Sequence, residues 1–316
     1  MRIGWFYPIA LLLVLGGAFA TKHVDSNFVF YAGYVVLQFI VLATAWNILG
    51  GFTGYVNFGT AAFFAVGAYT TIALNKALGL PLLAIMPIAG IIAGLIGLAA
   101  GYFTLRLKGV FFSIATLALA VVLETAVANW GYVGGASGSY VIPPAEVPFF
   151  DNYIEGLFSL MLLLAVVAVG IARYIALSKI GRGFAAIRDD EVAAECMGVP
   201  TLRLKLIATT LSGALMGIAG APYPFYVTYV EPTSAFSLTY AVNSIAMPLI
   251  GGTTTWFGPV IGAVLLGSLQ QWATVTISSE LNLLIVGVTL VAFVVLAPQG
   301  LVGLARKLFG RGGRTP

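Results

Sequence analysis

The sequence contains very few of the residues that bind metals or carry out covalent catalysis. Its 316 residues include one cysteine, Cys196, and one histidine, His23. A single cysteine excludes a disulfide within the chain, and one cysteine and one histidine are too few for the usual zinc clusters or Ser-His-Asp sets. We therefore expect no metal site, no catalytic residues and no cofactor in this chain, which argues against an enzyme.

Charged residues are also scarce. Only 8% of the residues are charged and 60% are hydrophobic, whereas about a quarter of a soluble domain is charged. A water-soluble chain of this length has no means of burying so much apolar surface, and lipid is its natural solvent. The composition predicts a polytopic protein within a lipid bilayer. The net charge of +4 reflects membrane topology, as shown below, and we expect no nucleic-acid partner.

The apolar residues are grouped into about ten runs of roughly the length that a bilayer core requires. They predict an all-α fold of about ten transmembrane helices, in a single domain covering residues 1–316. The run at 238–250 is short for a straight span, so it is either a half-helix or extends past Pro248. The runs cover residues 5–21, 28–49, 59–75, 81–105, 110–130, 155–177, 207–229, 238–250, 257–277 and 282–298.

The beginning of the chain has two interpretations. Arg2, the apolar run that follows it and the sequence Ala18-Phe19-Ala20 resemble a secretory signal with its cleavage site. The alternative, which we favour, is an uncleaved first transmembrane helix. The topology of everything after residue 28 is the same in both cases.

The basic residues are distributed asymmetrically between the two sides of the predicted membrane. With the N-terminus inside, the segments 1–4, 50–58, 106–109, 178–206 and 299–316 are cytoplasmic. The only basic residues in the predicted outer loops are Lys22 and Lys76. This asymmetry predicts a multi-pass protein of a bacterial inner membrane with both termini in the cytoplasm. The thirteen inner basic residues are Arg2, Arg106, Lys108, Arg173, Lys179, Arg182, Arg188, Arg203, Lys205, Arg306, Lys307, Arg311 and Arg314.

Two features bear on the source of energy. The sequence has no G-x-x-x-x-G-K-[ST] phosphate-binding loop, so any ATP must be hydrolysed by another subunit. Glu124 is the one ionisable residue well inside a predicted span, and one carboxylate does not make the relay that a proton-coupled carrier usually needs. Glu124 is either functional or a protonated or paired structural residue near the outer end of its helix.

Glycines interrupt the segment from Asn47 to Tyr69. We expect Gly50, Gly51, Gly54 and Gly59 to break any continuous helix there. Such a break either lines a solute path, with Asn57 offering side-chain hydrogen bonds, or forms a packing turn. The pattern of two glycines followed by Phe-Gly recurs at residues 250–258, and both loops lie on the same predicted side of the membrane.

The inner segment 178–206 is the longest predicted cytoplasmic loop, and it is dense in charges of both signs. Asp189 or Asp190 is a suitable N-cap for a helix, and Glu191 lies in its first turn. Gly198 followed by Pro200 is a stop signal. We predict a short helix at about residues 190–197, which is either a coupling element or a solvated helix held by phospholipid charge.

The residues of this loop resemble a known family. The run IRDDEVAAECMGVP, residues 187–200, resembles the coupling segment of ABC importer permeases, in which E-A-A is followed by a glycine. The segments NILGGFTGYVNFGTAAFFAVGAY, FFSIATLALA and LIGGTTTWFGPVIGA, and NW followed by GGASG, resemble the branched-chain amino acid permeases of the LivM type, from about residue 40 to 300. The pattern corresponds here to Glu191, Ala193, Ala194 and Gly198, flanked by Arg188 and Asp190.

The resemblance implies a type II importer permease fold and a transport subunit of an ATP-driven importer. It implies a second, LivH-like permease, two cytoplasmic ATPase subunits that hold ATP and magnesium, and a periplasmic binding protein. The cytoplasmic coupling loop would be residues 178–206, followed at the end by the basic tail 299–316.

The sequence departs from the family pattern at Asn243, where relatives often have an acid, and at the loop Gly251 to Thr255. The substrate is therefore a branched-chain or related amino acid or, alternatively, urea, a short amide or an aromatic acid. A stand-alone channel or secondary carrier is a further alternative, and a membrane enzyme or structural subunit is a weaker one.

Overall fold

The computed structural model describes residues 27–104, 109–144, 150, 152–276, 287–292 and 300–309, together with single positions 8, 10, 12, 14, 16, 17 and 284. We number the helices in chain order within these residues. Helices dominate, and the strands form one two-residue antiparallel pair. The helices are α1 (Asn27–Thr53), α2 (Thr60–Leu78), α3 (Leu82–Thr104), α4 (Val110–Ala128), α5 (Tyr153–Leu177), α6 (Lys179–Asp189), α7 (Glu191–Cys196), α8 (Thr201–Gly220), α9 (Tyr223–Val227), α10 (Pro232–Ala235), α11 (Leu238–Gly251), α12 (Gly258–Thr276) and α13 (Gly300–Phe309); the strands are β1 (Ser139–Tyr140) and β2 (Tyr229–Val230).

Six segments in the described part of the chain are long and apolar enough to cross a membrane. They are Phe28–Thr53, Thr60–Leu78, Leu82–Thr104, Val110–Ala128, Tyr153–Leu177 and Thr201–Val227. They coincide with the second to seventh predicted runs. The short run at 238–250 is α11, with Pro248 inside it, and the next run is α12; neither is among the six. The first and tenth predicted runs lie largely outside the described residues.

Small residues allow the central helices to pack closely. A β-carbon at Gly67 of α2 would collide with the carbonyl of Gly217 on α8, and one at Gly217 would collide with Ala93 of α3. Gly97 of α3 lies against the backbone of Thr209 on α8. Helices in lipid associate through such close van der Waals packing, since lipid chains are as apolar as the helices themselves. Helix α8 is therefore held against α2 and α3 at once.

The contacts gather alternate helix termini at one end of the bundle, which we call the α7 end. Gly54, after α1, contacts Arg188 of α6, and Gly51 near the end of α1 contacts the backbone of Thr253 before α12. Gly300, at the start of α13, packs on the backbone of Gly252. These are the segments that the topology prediction assigns to one side of the membrane.

The other termini meet at the opposite end, which we call the strand end. Lys76 near the end of α2 donates to the carbonyl of Tyr132, at 2.9 Å. Strand β1 pairs with β2, and the hydroxyls of Tyr31 and Tyr153 lie 2.9 Å apart at the starts of α1 and α5. The two groups of contacts lie at different ends of the helices, while the predicted membrane topology and the side that faces the cytoplasm stay predictions.

The helix break after α1 lies later than the glycines indicated. Gly50 and Gly51 lie inside α1, which continues to Thr53. The chain leaves the helix at Gly54, whose φ is 81°, and resumes it at Thr60. Gly50 and Gly51 serve packing, because β-carbons there would collide with Trp46 and Asn47 on the preceding turn of α1. The prediction that these two glycines break the helix is wrong.

Candidate functional site

The short helix α7 forms because its own residues satisfy its first free amides. Asp190 is the N-cap, and its Oδ1 accepts hydrogen bonds from the amides of Val192 and Ala193 at 2.9 and 3.0 Å. Glu191 lies in the first turn, where a negative charge favours the helix dipole. The helix runs from Glu191 to Cys196, which confirms the helix predicted at about 190–197.

Glycine ends this helix as expected. Gly198 has a φ of 81°, and no atom lies within 4 Å of the position that its β-carbon would take. The amide of Val199 returns to the carbonyl of Ala194 at 3.0 Å. A side chain at residue 198 would therefore be disfavoured by backbone conformation and not by crowding.

Only part of the family pattern on α7 is exposed. Ala194, which matches that pattern, is only 5% exposed and faces its own chain. Ala193 is exposed, and Met197 on the same face of the helix is 85% exposed. Val192 and Cys196 are also exposed. The surface available to another subunit therefore includes Val192, Ala193, Glu195, Cys196 and Met197.

The inner side of α7 is tied to two other segments by a cluster of polar side chains. The Lys205 ammonium of α8 lies 2.6 Å from Glu191 Oε1. The Tyr55 hydroxyl donates to Glu191 Oε2 at 2.5 Å and accepts from Lys205 at 3.2 Å. The Lys205 ammonium also lies 4.9 Å from the centre of the Tyr55 ring. We call Tyr55, Glu191 and Lys205 the 55–191–205 cluster.

Burial determines how these three groups interact. Lys205 is 4% exposed and Tyr55 8%. Burial, followed by the hydrogen bond to the Glu191 carboxylate, raises the pKa of the Tyr55 phenol well above its ordinary value. The phenol therefore keeps its proton and remains a donor to the carboxylate. Charge-assisted hydrogen bonds in such surroundings are stronger than the same bonds at an exposed site.

The two predicted groups of functional residues thus lie next to one another. Arg188 and Glu191 were assigned to the coupling segment, whereas Gly54 was assigned to a solute path. Gly54 packs against the Arg188 side chain, with its virtual β-carbon 3.3 Å from Arg188 Cγ. Tyr55, the next residue, binds Glu191. The coupling segment and the loop formed by residues 54–59 are therefore in direct contact.

The loop 54–59 makes hydrogen bonds within itself, to α1 and to α4. The Asn57 side chain is 2% exposed and its Oδ1 accepts from the amide of Gly59 at 2.7 Å. The Asn57 carbonyl accepts from the Trp46 indole at 2.8 Å. From α4, Ser113 donates to the carbonyl of Val56 at 2.9 Å, and Thr116 accepts from the amide of Phe58 at 3.1 Å. Asn57 thus organises its own loop in this conformation.

The remaining predicted path residues lie elsewhere. Asn243 of α11 is buried, and its Oδ1 accepts from the Gln270 amide of α12 at 2.9 Å. Glu124 lies half-buried on α4, which is the most exposed of the six spanning helices. Asn243 is thus hydrogen-bonded to α12, whereas Asn57 is hydrogen-bonded within the loop 54–59.

Sequence reasoning missed several residues of the site. No motif in the sequence analysis singled out Tyr55, and Lys205 was counted only as one of the inner basic residues. Gln270 is a polar residue in an apolar run, and that is the signal that could have indicated a buried partner. In the described part of the chain, no three His, Cys, Asp or Glu residues lie together as a metal site would require.

Comparison with known proteins identifies the family. The model of the family described as "Branched-chain amino acid transport system / permease component" matches residues 28–294. The chain belongs to this family. The match covers α1 to α12, and with them both the loop 54–59 and α7.

Individual relatives agree with the family assignment. The chain is 28% identical over 297 residues to the high-affinity branched-chain amino acid transport system permease protein LivM of Escherichia coli, covering 86% of this chain and 69% of the relative. It is 23% identical to the probable branched-chain amino acid transport permease protein LivH of Methanocaldococcus jannaschii, covering 92% and 95%. It is 22% identical to the autoinducer 2 import system permease protein LsrC of Yersinia enterocolitica, covering 83% and 74%. No solved structure gives a significant match.

Proposed function

We propose that this chain is a transmembrane subunit of an ABC importer that carries branched-chain or related amino acids into the cytoplasm. The observation that carries the proposal is the family match over residues 28–294. The partners would be a second LivH-like permease, two ATPase subunits that bind ATP and magnesium, and a periplasmic binding protein. The chain would lie in a bacterial inner membrane with the α7 end and both termini in the cytoplasm.

In this proposal α7 is the docking element for an ATPase subunit. The helix is short and capped at both ends, and it exposes Val192, Ala193, Cys196 and Met197 together with the charged Glu195. The residues that match the family pattern would have three different roles. They are Arg188, Asp190, Glu191, Ala193, Ala194 and Gly198. Ala193 contributes to the docking face, Asp190 and Gly198 fix the ends of the helix, and Arg188, Glu191 and Ala194 attach it to the rest of the chain.

The solute path is proposed to pass beside the loop 54–59. The chain leaves its helix there, which is tolerated at membrane depth where protein or a cavity surrounds the backbone. Asn47 Oδ1, on α1, and Thr60 Oγ1, at the start of α2, are buried and make no hydrogen bond within the described residues. Buried polar atoms of that kind are suited to water or a polar solute. The Asn243–Gln270 pair and Glu124 are separate candidates along the same pathway.

Docking is tested by two variants of α7 in the complete transporter. Gly198→Val strains the end of the helix, and Ala193→Trp places a large ring on the exposed face. Both are expected to release the ATPase subunits or to abolish uptake, while the permease still accumulates. The measurement is uptake, ATPase activity and co-purification of the ATPases, normalised to permease abundance. Ala136→Trp, at an exposed position near the strand end, is the control and should leave co-purification unchanged. Normal uptake and co-purification in both α7 variants would contradict the docking role.

The orientation is tested by labelling. Single cysteines at Ser178 and Thr315, in a Cys196→Ser background, should be protected from an impermeant thiol reagent in intact cells. Rapid labelling from outside at either position would reverse the proposed topology.

The substrate is tested by a binding screen of the cognate periplasmic protein against branched-chain amino acids, aromatic acids, urea and short amides. Uptake into vesicles that needs a proton gradient and no ATP would instead support a secondary carrier.

A further inference from the structure

The 55–191–205 cluster connects three segments that are far apart in the sequence. Glu191 begins α7, Lys205 lies in the second turn of α8, and Tyr55 belongs to the loop between α1 and α2. Of these three, the pattern of the family loop includes only Glu191. Tyr55 and Lys205 therefore add two residues to the site whose role has to be found in the contacts themselves.

The cluster makes separation of its members costly. A buried ion pair contributes little net stability compared with apolar packing, but removing one partner leaves the other charge buried and unpaired. Lys205 is almost completely buried, and its ammonium contacts Glu191 Oε1, the Tyr55 hydroxyl and the Tyr55 ring. A movement of helix α7 away from α8 and Tyr55 breaks these contacts of the buried Lys205 ammonium. The favourable movement is one in which all three segments move together.

The cluster leads directly to the central helices. Tyr55 packs edge-on against Phe112 of α4, with ring centres 5.2 Å apart. The loop 54–59 joins α1 to α2, and α8 packs against α2 and α3 through its small residues. A movement of Glu191 therefore reaches α1 and α2 through Tyr55 and reaches α8 through Lys205.

We propose that the 55–191–205 cluster transmits displacement of α7 to the loop 54–59 and to the base of α8, so that Tyr55 and Lys205 are positioning residues of the transport cycle. The inference rests on the proposed function, in which an ATPase docks on α7. The contrast with the neighbouring Arg188–Asp189 pair supports it. That pair joins two adjacent residues at 3.1 Å, and its side chains are 33% and 71% exposed, so water screens the two charges.

The test measures solute transported per ATP hydrolysed by the complete transporter in proteoliposomes. Glu191→Gln and Lys205→Met each remove the Glu191–Lys205 ion pair, and we expect the ratio of solute to ATP to fall by about tenfold, which is within the usual range of coupling between two sites. Tyr55→Phe keeps the ring and loses the hydroxyl, and we expect a fall of about threefold. Asp189→Asn removes the exposed Arg188–Asp189 ion pair and is the matched control. We expect its ratio of solute to ATP to equal that of the unaltered protein.

A charge exchange separates transmission from simple stability. The double variant Glu191→Lys with Lys205→Glu restores an ion pair, and we expect it to regain a substantial part of the lost ratio. The ATPases should co-purify with the permease in every variant, because the exposed face of α7 is unchanged. If Glu191→Gln and Lys205→Met do not accumulate in the membrane, the ratio is measured in Tyr55→Phe and in the exchange variant instead.

The outcomes distinguish the inference from the function on which it rests. A ratio at the unaltered level in Glu191→Gln, Lys205→Met and Tyr55→Phe overturns the transmission role and leaves the importer proposal intact. A ratio that stays low in the exchange variant, together with an unaltered ratio in Tyr55→Phe, also overturns it. If the unaltered chain neither binds ATPases nor supports ATP-dependent uptake, the importer proposal itself fails.

Discussion

Two loops at the α7 end have similar sequences and are held in different ways. The loop 54–59 follows Gly50-Gly51, and the loop 252–257 follows Gly251 at the end of α11. The first loop is fastened by side chains, through Tyr55 and Asn57. The second also has side-chain hydrogen bonds, such as the one that Thr255 Oγ1 accepts from the Gly258 amide at 3.1 Å. It differs in adding close backbone contact, since β-carbons at Gly251 and Gly258 would meet the carbonyls of Gly258 and Gly252.

The difference concerns what each loop is able to do. Hydrogen bonds and ion pairs between side chains have alternative arrangements, so a loop held by them is suited to changing its partners during a transport cycle. Close contact of backbone with backbone has little tolerance for displacement, because packed interiors are dense. We therefore interpret the loop 252–257 as a fixed joint and the loop 54–59 as the part that moves. Arg173 of α5, whose guanidinium lies 5.2 Å from the Trp256 ring, adds to the fixed joint.

The largest effect is expected at the fixed joint. Gly251→Ala places a β-carbon into the carbonyl of Gly258, so α11 and α12 must separate. Overpacking of that kind typically costs about 1–3 kcal/mol, and more where the obstacle is backbone. We expect permease abundance in the membrane to fall strongly, as measured by a fluorescent fusion and by thermal unfolding in detergent. Normal abundance with selectively lost transport would contradict the fixed joint.

A smaller effect is expected at Asn57. Asn57→Leu removes the acceptor of the Gly59 amide and leaves a buried donor unsatisfied, at a cost of about 1–3 kcal/mol. Uptake is expected to be lost, and because Asn57 organises its own loop, the thermal midpoint should fall as well. Asn57→Asp keeps an acceptor at the same position and is the comparison variant. Loss of uptake in Asn57→Leu with an unchanged thermal midpoint would instead indicate direct contact with the solute.

The smallest effect is expected at Gly54, the first residue of the loop 54–59. Gly54→Ala has to adopt a φ of 81°, but its nearest neighbour is the flexible Arg188 side chain at 3.3 Å, and the Arg188 Cα lies at an ordinary contact distance of 3.7 Å. The backbone strain is about 1–2 kcal/mol, so abundance should change little. We expect a moderate reduction in uptake per ATP, and Gly54→Asn, which tolerates this backbone region better, should reduce it less. If Gly54→Ala lowers abundance as much as Gly251→Ala, the two loops are equivalent and the comparison fails.

Several features followed from the sequence because they depend on composition or on neighbouring residues. The apolar runs identified six helices of sufficient length and hydropathy, because the bilayer sets a minimum length for any span. The α7 caps were predictable because Asp190 binds amides two and three residues away. Position within a helix was less predictable: Gly50 and Gly51 have low helix propensity, but packing against neighbours outweighed it.

The site itself depends on contacts between distant residues. The sequence determined that the chain lies in lipid, which helix ends share a side, and where a short capped helix stands, since each follows from hydropathy, charge or local hydrogen bonding. Only the tertiary structure decided that Ala194 faces inward and that Asn243 meets Gln270. Only the tertiary structure joined Tyr55 to a carboxylate 136 residues further along the chain. Partner choice among buried polar groups is set by which helix faces meet in the packed bundle, and no local pattern encodes it.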